Sequence, residues 1–132
     1  MELTISKQQG RVPVTVLQIK GTVTADTAGQ LEQEARQAFA DGARHLLVDL
    51  SDVSLLSSSG LRVLHNIFNL LRSESPEESD EKIRKGLMDG TYKSPHLKLL
   101  NPKKHVYDAL KMAGYDMYLE IHSKLKDAIA SF

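Results

Sequence analysis

The sequence predicts a small α/β domain with a mixed, mostly parallel sheet of about four to five strands and four helices, and two observations carry that expectation. Short β-branched or apolar runs alternate along the chain with segments whose apolar residues recur at helical spacing, the pattern of strands joined by helical crossovers. At 132 residues the chain can bury one hydrophobic core but not two independent ones, so residues 1–132 read as a single domain.

The elements follow in the order ββαβαβαβα. Leu3 and Ile5 alternate with polar neighbours, and after Gly10-Arg11 the β-branched stretch Val12 to Ile19 predicts a second strand, hence an opening hairpin. From Thr27 onward Ala28, Leu31, Ala35, Ala38 and Phe39 recur at helical spacing, Thr27 with Gln30 has capping-box form, and Gly42 supplies a stop. His45-Leu46-Leu47-Val48-Asp49-Leu50 is a short continuous apolar run, as expected of a central strand covered on both faces. A brief polar loop is expected next, then a helix whose broad apolar face combines Leu61, Leu64, Phe68 and Leu71 with Val63, Ile67 and Leu70.

Between Ser73 and Pro95 the composition turns to Ser, Glu, Asp, Lys and Gly, which predicts a mobile insertion far longer than the ~4–6 residues of an ordinary connection. Glu78 with Lys82 and Glu81 with Lys85 stand at helix-supporting spacing, but each such pair contributes only ~0.2–0.5 kcal/mol. The expected role of the segment is partner selection, because it follows directly on the second helix. Leu97-Lys98-Leu99-Leu100 then reads as a strand, and Asn101-Pro102 as the cap and first-turn proline of a helix with Val106, Leu110 and Ala113 on one face and Gly114 as its stop. Met117, Leu119 and Ile121 alternate as a last short strand, and Ser123 caps a final helix carrying Leu125, Ala128, Ile129 and Phe132.

Charge and composition narrow the function. Lysine plus arginine and aspartate plus glutamate total 17 each, so no long-range field favours nucleic acid or an anionic membrane. The basic trio Lys103-Lys104-His105 therefore reads as a solvated turn. Cysteine is absent, which removes disulfide scaffolds and thiolate chemistry and fits a reducing compartment; the cytoplasm is the expected location. No window approaches the ~20 apolar residues of a membrane-spanning helix, and the amino terminus lacks a secretory pattern. His45, His65, His96, His105 and His122 lack metal-ligand spacing, and no phosphate-binding glycine loop is present, so neither a metal nor a cofactor is expected. Ser57-Ser58-Ser59-Gly60 does not fit the G-x-S-x-G elbow of a hydrolase, and no activating base is implied; an enzyme is not expected.

What remains is the serine cluster itself, placed where a helix exposes unpaired backbone N–H groups. Two roles suit it. One serine should cap the helix, with Gly60 permitting close backbone approach. Alternatively Ser58 is a phosphorylation site, since a helix N-terminus tolerates the roughly −1.5 to −2 charges of a phosphate while a partner docked over the loop would not.

Val48-Asp49-Leu50-Ser51-Asp52-Val53, followed by Leu55-Leu56-Ser57-Ser58-Ser59-Gly60-Leu61-Arg62-Val63-Leu64, resembles the signature of STAS domains, specifically the bacterial anti-sigma factor antagonists. Gly21 before the first helix, and Leu97 to Pro102 with Val106 to Gly114, resemble further parts of that family, so the likeness spans nearly the whole chain outside residues 73–95. It implies a module that binds an anti-sigma factor, often a serine kinase of the histidine-kinase-like ATPase type, and so releases a sigma factor for transcription. The family's phospho-acceptor lies two places before the motif glycine, which is Ser58 here, and its docking surface would comprise Thr22, Thr24, Ser57, Ser58, Ser59, Gly60, Leu61 and Arg62. The sequence departs from the pattern in two places: Ser57 stands where the family usually has aspartate, and Thr22 and Thr24 where it has an acidic pair. Both changes remove negative charge beside the acceptor, which leaves Ser57 and Ser59 as alternative acceptors, and leaves open a non-phosphorylated, self-associating scaffold subunit of a signalling assembly.

Overall fold

A computed structural model describes all 132 residues. Its five strands stand in sequence order across one sheet: β1 (Glu2–Gln9), β2 (Pro13–Val23), β3 (Leu46–Leu56), β4 (Leu97–Leu100) and β5 (Ile121–His122). The hairpin β1–β2 is antiparallel and every later pair is parallel, because helices carry the chain back between strands. The helices are α1 (Ala25–Ala40), α2 (Ser58–Arg72), α3 (Asp80–Asp89), α4 (Lys104–Met112) and α5 (Leu125–Ser131). The mixed, mostly parallel sheet agrees with the expected α/β architecture, with one helix more than predicted.

Strand alternation divides the apolar residues between two faces of unequal size. Leu17 and Ile19 of β2, Leu46, Val48 and Leu50 of β3, and Leu97 and Leu99 of β4 face the main core. There they meet Leu31 of α1, Leu64, Ile67 and Phe68 of α2, Ile83 of α3, and Val106 and Leu110 of α4. The intervening residues Val14, Val16, Leu47 and Leu100 form a second, smaller cluster closed by Ala128, Ile129 and Phe132 at the chain's end. Lys98 shares that smaller face and is only 3% exposed. Its ammonium is held by the Ser131 carbonyl at 2.8 Å, the Ser131 hydroxyl at 3.1 Å and Glu120 at 3.1 Å, with the Phe132 ring 4.8 Å away. Burial opposes ionisation of Glu120, yet Lys98 and His122 together hold its carboxyl below the usual range. Arg11 reaches the neighbouring Ala130 carbonyl at 3.3 Å, so α5 is anchored by two cations on its main chain.

Several boundaries differ from the expected ones. Residues 73–95 do not form an unanchored insertion but a 3₁₀ turn at Pro76–Glu78 followed by α3. The helix is not held by the anticipated charge pairs. Ser79 caps it, Gly90 ends it in a left-handed conformation, and Ile83 is buried in the main core. Arg72, at the end of α2, donates to the Glu78 carbonyl at 2.8 Å and pairs with Asp80, while Tyr92 donates to the buried Glu78 carboxylate at 2.9 Å. A few well-placed polar contacts thus fix a segment whose composition reads as solvated.

α1 begins three residues earlier than its apolar rhythm implies, with Thr24 as cap and Thr27 at the third helical position, because β2 runs on to Val23 and leads straight into it. β3 likewise extends to Leu56, leaving no polar loop before α2. Asn101 adopts a left-handed φ of 49°, so α4 starts later than predicted, with Lys103 at its cap. Met117 belongs to a 3₁₀ turn and β5 is two residues long, while Lys124 rather than Ser123 precedes α5. No helix is long and apolar enough to cross a membrane.

Candidate functional site

The C-terminal ends of β2 and β3 lie side by side, with Thr22 in register with Leu55 and Val23 with Leu56. Each strand then passes through one cap residue into a helix, so α1 and α2 start on the same rim of the sheet. The Ser57 N–H donates to the Val23 carbonyl at 2.9 Å, which ties the two exits together. This rim collects Thr22, Thr24, Ser57, Ser58 and Ser59, although more than 30 residues of sequence separate the threonines from the serines.

The three serines have different environments. Ser57 is the cap of α2: its backbone is extended, with φ −77° and ψ 174°, and its hydroxyl accepts from the Gly60 N–H at 3.3 Å. Ser58 opens the helix, is exposed, and makes no hydrogen bond to the rest of the chain through its hydroxyl. Ser59 is half-buried. Gly60 is fully covered, so it offers no surface to a partner and works instead through packing. A Cβ there would stand 2.5 Å from the Leu56 Cδ1 and 3.0 Å from the Val23 Cγ1, and the absence of a side chain is what seats α2 on the two strand ends.

Leu61 is half-buried against the main core, and its carbonyl accepts from the Tyr115 hydroxyl at 2.6 Å. Burial raises the Tyr115 pKa, with nearby Arg62 opposing it, so the phenol keeps the proton that it donates. Arg62 is exposed, one helical turn beyond Ser58, and has no carboxylate partner. No acidic residue occupies the first turn of α2. The first turn of α2 therefore carries no carboxylate, only the positive end of the helix with Arg62 one turn on, while the nearest acidic residue at a helix start on this rim is the exposed Asp26 in the first turn of α1.

Two residues of this site escape sequence reasoning. Leu55 is 48% exposed, an apolar side chain on the rim beside Thr22. Its signal is the Leu55-Leu56 pair in a strand, where alternation allows only one to face inward. Tyr115 lies 54 positions from the carbonyl it braces, and nothing local marks it.

Residues 7–75, just over half of the chain, match the profile of the family described as Mlab, STAS domain. Over all 132 residues the chain is 26% identical to BtrV of Bordetella bronchiseptica, provisionally named an anti-sigma factor antagonist, and the match spans 95% of that protein. An anti-sigma factor antagonist from Mycobacterium paratuberculosis superposes with a TM-score of 0.68 at 21% identity, covering 98% of this chain and 93% of that one. The phosphorylated form of SpoIIAA, a Bacillus cell fate determinant, superposes with a TM-score of 0.65 at 14% identity, covering 97% and 96%. At these identities the structural likeness is one of fold.

Proposed function

We propose, from the premise that this chain belongs to the STAS domain family, that it is an anti-sigma factor antagonist: a binding module, not an enzyme, that docks on an anti-sigma factor through the rim formed by the starts of α1 and α2. The observation that carries this reading is the free Ser58 hydroxyl, exposed between a committed cap and a sealed glycine. Leu55 and Thr22 beside it, with Leu61 and Arg62 behind it, make a surface that mixes apolar area with neutral polar groups and one guanidinium. Such a composition suits the core of a protein interface, where charged residues are depleted and arginine is retained.

The same geometry supports a switch. A phosphate on Ser58 would stand at the positive end of α2, with Arg62 one turn on, so the domain would keep its fold. A partner pressed against the rim would have to desolvate that charge, at a cost of several kcal/mol unless its own cation compensated. Ser57 is a poorer acceptor because its hydroxyl caps the helix, and Ser59 because it is partly covered. Phosphorylation of SpoIIAA in its own structure is consistent with such a device.

Co-purification of the tagged chain from its native cell, followed by intact-mass measurement of the recovered complex after adding ATP, tests both parts. The expected result is a stoichiometric anti-sigma partner, one added phosphate on the wild type and none on Ser58→Ala, and at least about tenfold weaker partner binding by Ser58→Asp. Recovery of no anti-sigma factor would defeat the antagonist reading; recovery without phosphate on the wild type would defeat the switch alone.

A further inference from the structure

The two edges of the sheet are unlike. One is the two-residue β5, too short to template another strand. The other is β1, whose eight residues pair with β2 in one unbroken register from Glu2 opposite Lys20 to Gln9 opposite Pro13. Seven of those eight are exposed, and neither a proline nor a bulge interrupts the strand. Its outer row of N–H and C=O groups has no strand partner, the condition that invites strand addition. Ile5, at its centre, is 43% exposed.

We infer that β1 is a homodimer interface, at which a second copy of this chain adds its own β1 antiparallel and joins the two sheets. A two-fold axis across an antiparallel pair must pass through a residue that faces its own copy, because hydrogen-bonded and non-bonded pairs alternate along the ladder. Placing the axis at Thr4 sets Leu3 against Ile5 of the second copy, and the reverse, while Glu2 faces Ser6. Two apolar pairs and a threonine pair then form, and no two like-charged side chains meet between Glu2 and Ser6. Placing it at Ile5 would instead set Leu3 against Lys7. The chain's formal charge of zero adds no long-range repulsion between copies. The amino-terminal end of β1 lies at the serine-bearing rim, since Met1 approaches Gly21. Antiparallel joining therefore sends the two rims to opposite ends of the combined sheet, where both stay open. The interface is independent of the proposed partner and of Ser58.

Sedimentation equilibrium of the purified full chain alone, from about 1 to about 300 μM, gives the direct test. The expected mass rises with concentration from that of one chain, 14.7 kDa, toward twice that value. Ile5→Glu should raise the midpoint at least about tenfold. The chain has no cysteine, so Thr4→Cys introduces a single thiol at the two-fold axis. Mild oxidation should link two Thr4→Cys chains far faster than two Ser6→Cys chains, whose thiols would face Glu2. A mass that stays at one chain throughout overturns the inference. So does a dimer indifferent to Ile5→Glu, or one in which both cysteine variants cross-link at equal rates.

Discussion

The starts of α1 and α2 occupy the same rim, follow their strands through a single cap residue, and carry hydroxyl side chains, yet they dispose of those hydroxyls differently. At α1 the chemistry turns inward. The Thr27 hydroxyl accepts from the Thr24 N–H at 2.9 Å and donates to the Thr22 carbonyl at 3.1 Å, so one side chain fastens the strand end to the helix. At α2 only Ser57 is engaged with the main chain, and Ser58 is left facing water. Closing one helix start and leaving a free hydroxyl on its neighbour keeps one part of the rim fixed while the other stays open to solvent.

Substitutions can break or sharpen that contrast. The largest effect should come from Gly60→Val, which forces a branched side chain between Leu56 and Val23; a loss of about 3 kcal/mol in urea unfolding is expected. Thr27→Val keeps shape but removes both an acceptor and a donor, and should cost about 1–2 kcal/mol by the same measurement. Ser57→Ala loses a longer cap bond, and about 0.5–1 kcal/mol is expected. Ser58→Ala should change stability by less than about 0.5 kcal/mol, as for an exposed residue with no internal partner. If Ser58→Ala proved as costly as Thr27→Val, the two helix starts would be alike and Ser58 a structural hydroxyl.

Much of this architecture is legible in the sequence because periodicity is a direct image of burial. Leu31, Leu64 and Leu110 lie at zero exposure on the helices their spacing predicts, and the run Leu46 to Leu50 is the central strand. The boundaries were less visible. Thr24 caps α1 with its N–H bonded to the Thr27 hydroxyl, which itself reaches to the Thr22 carbonyl, and the apolar rhythm begins only at Ala28, so the true start has no apolar marker. Residues 73–95 misled for a related reason. Composition counts charges but not where they point: Glu78 is buried and bonded to Tyr92, and Arg72 reaches across from α2 to receive the turn. At the site, Ser58, Ser57 and Ser59 are recognisable as candidates, but separating cap from free hydroxyl needs the backbone, and Leu55 and Tyr115 need the fold.

Lys98 and Arg11 grip α5 by the carbonyls of Ser131 and Ala130, groups that every amino acid supplies. The identity of position 130 can therefore change without loosening the clasp, whereas Ser131 also holds Lys98 through its hydroxyl at 3.1 Å, and Ala128, pressed fully into the sheet, has no such latitude. The final turn is thus a place where this domain can change its outward character while its architecture stays the same.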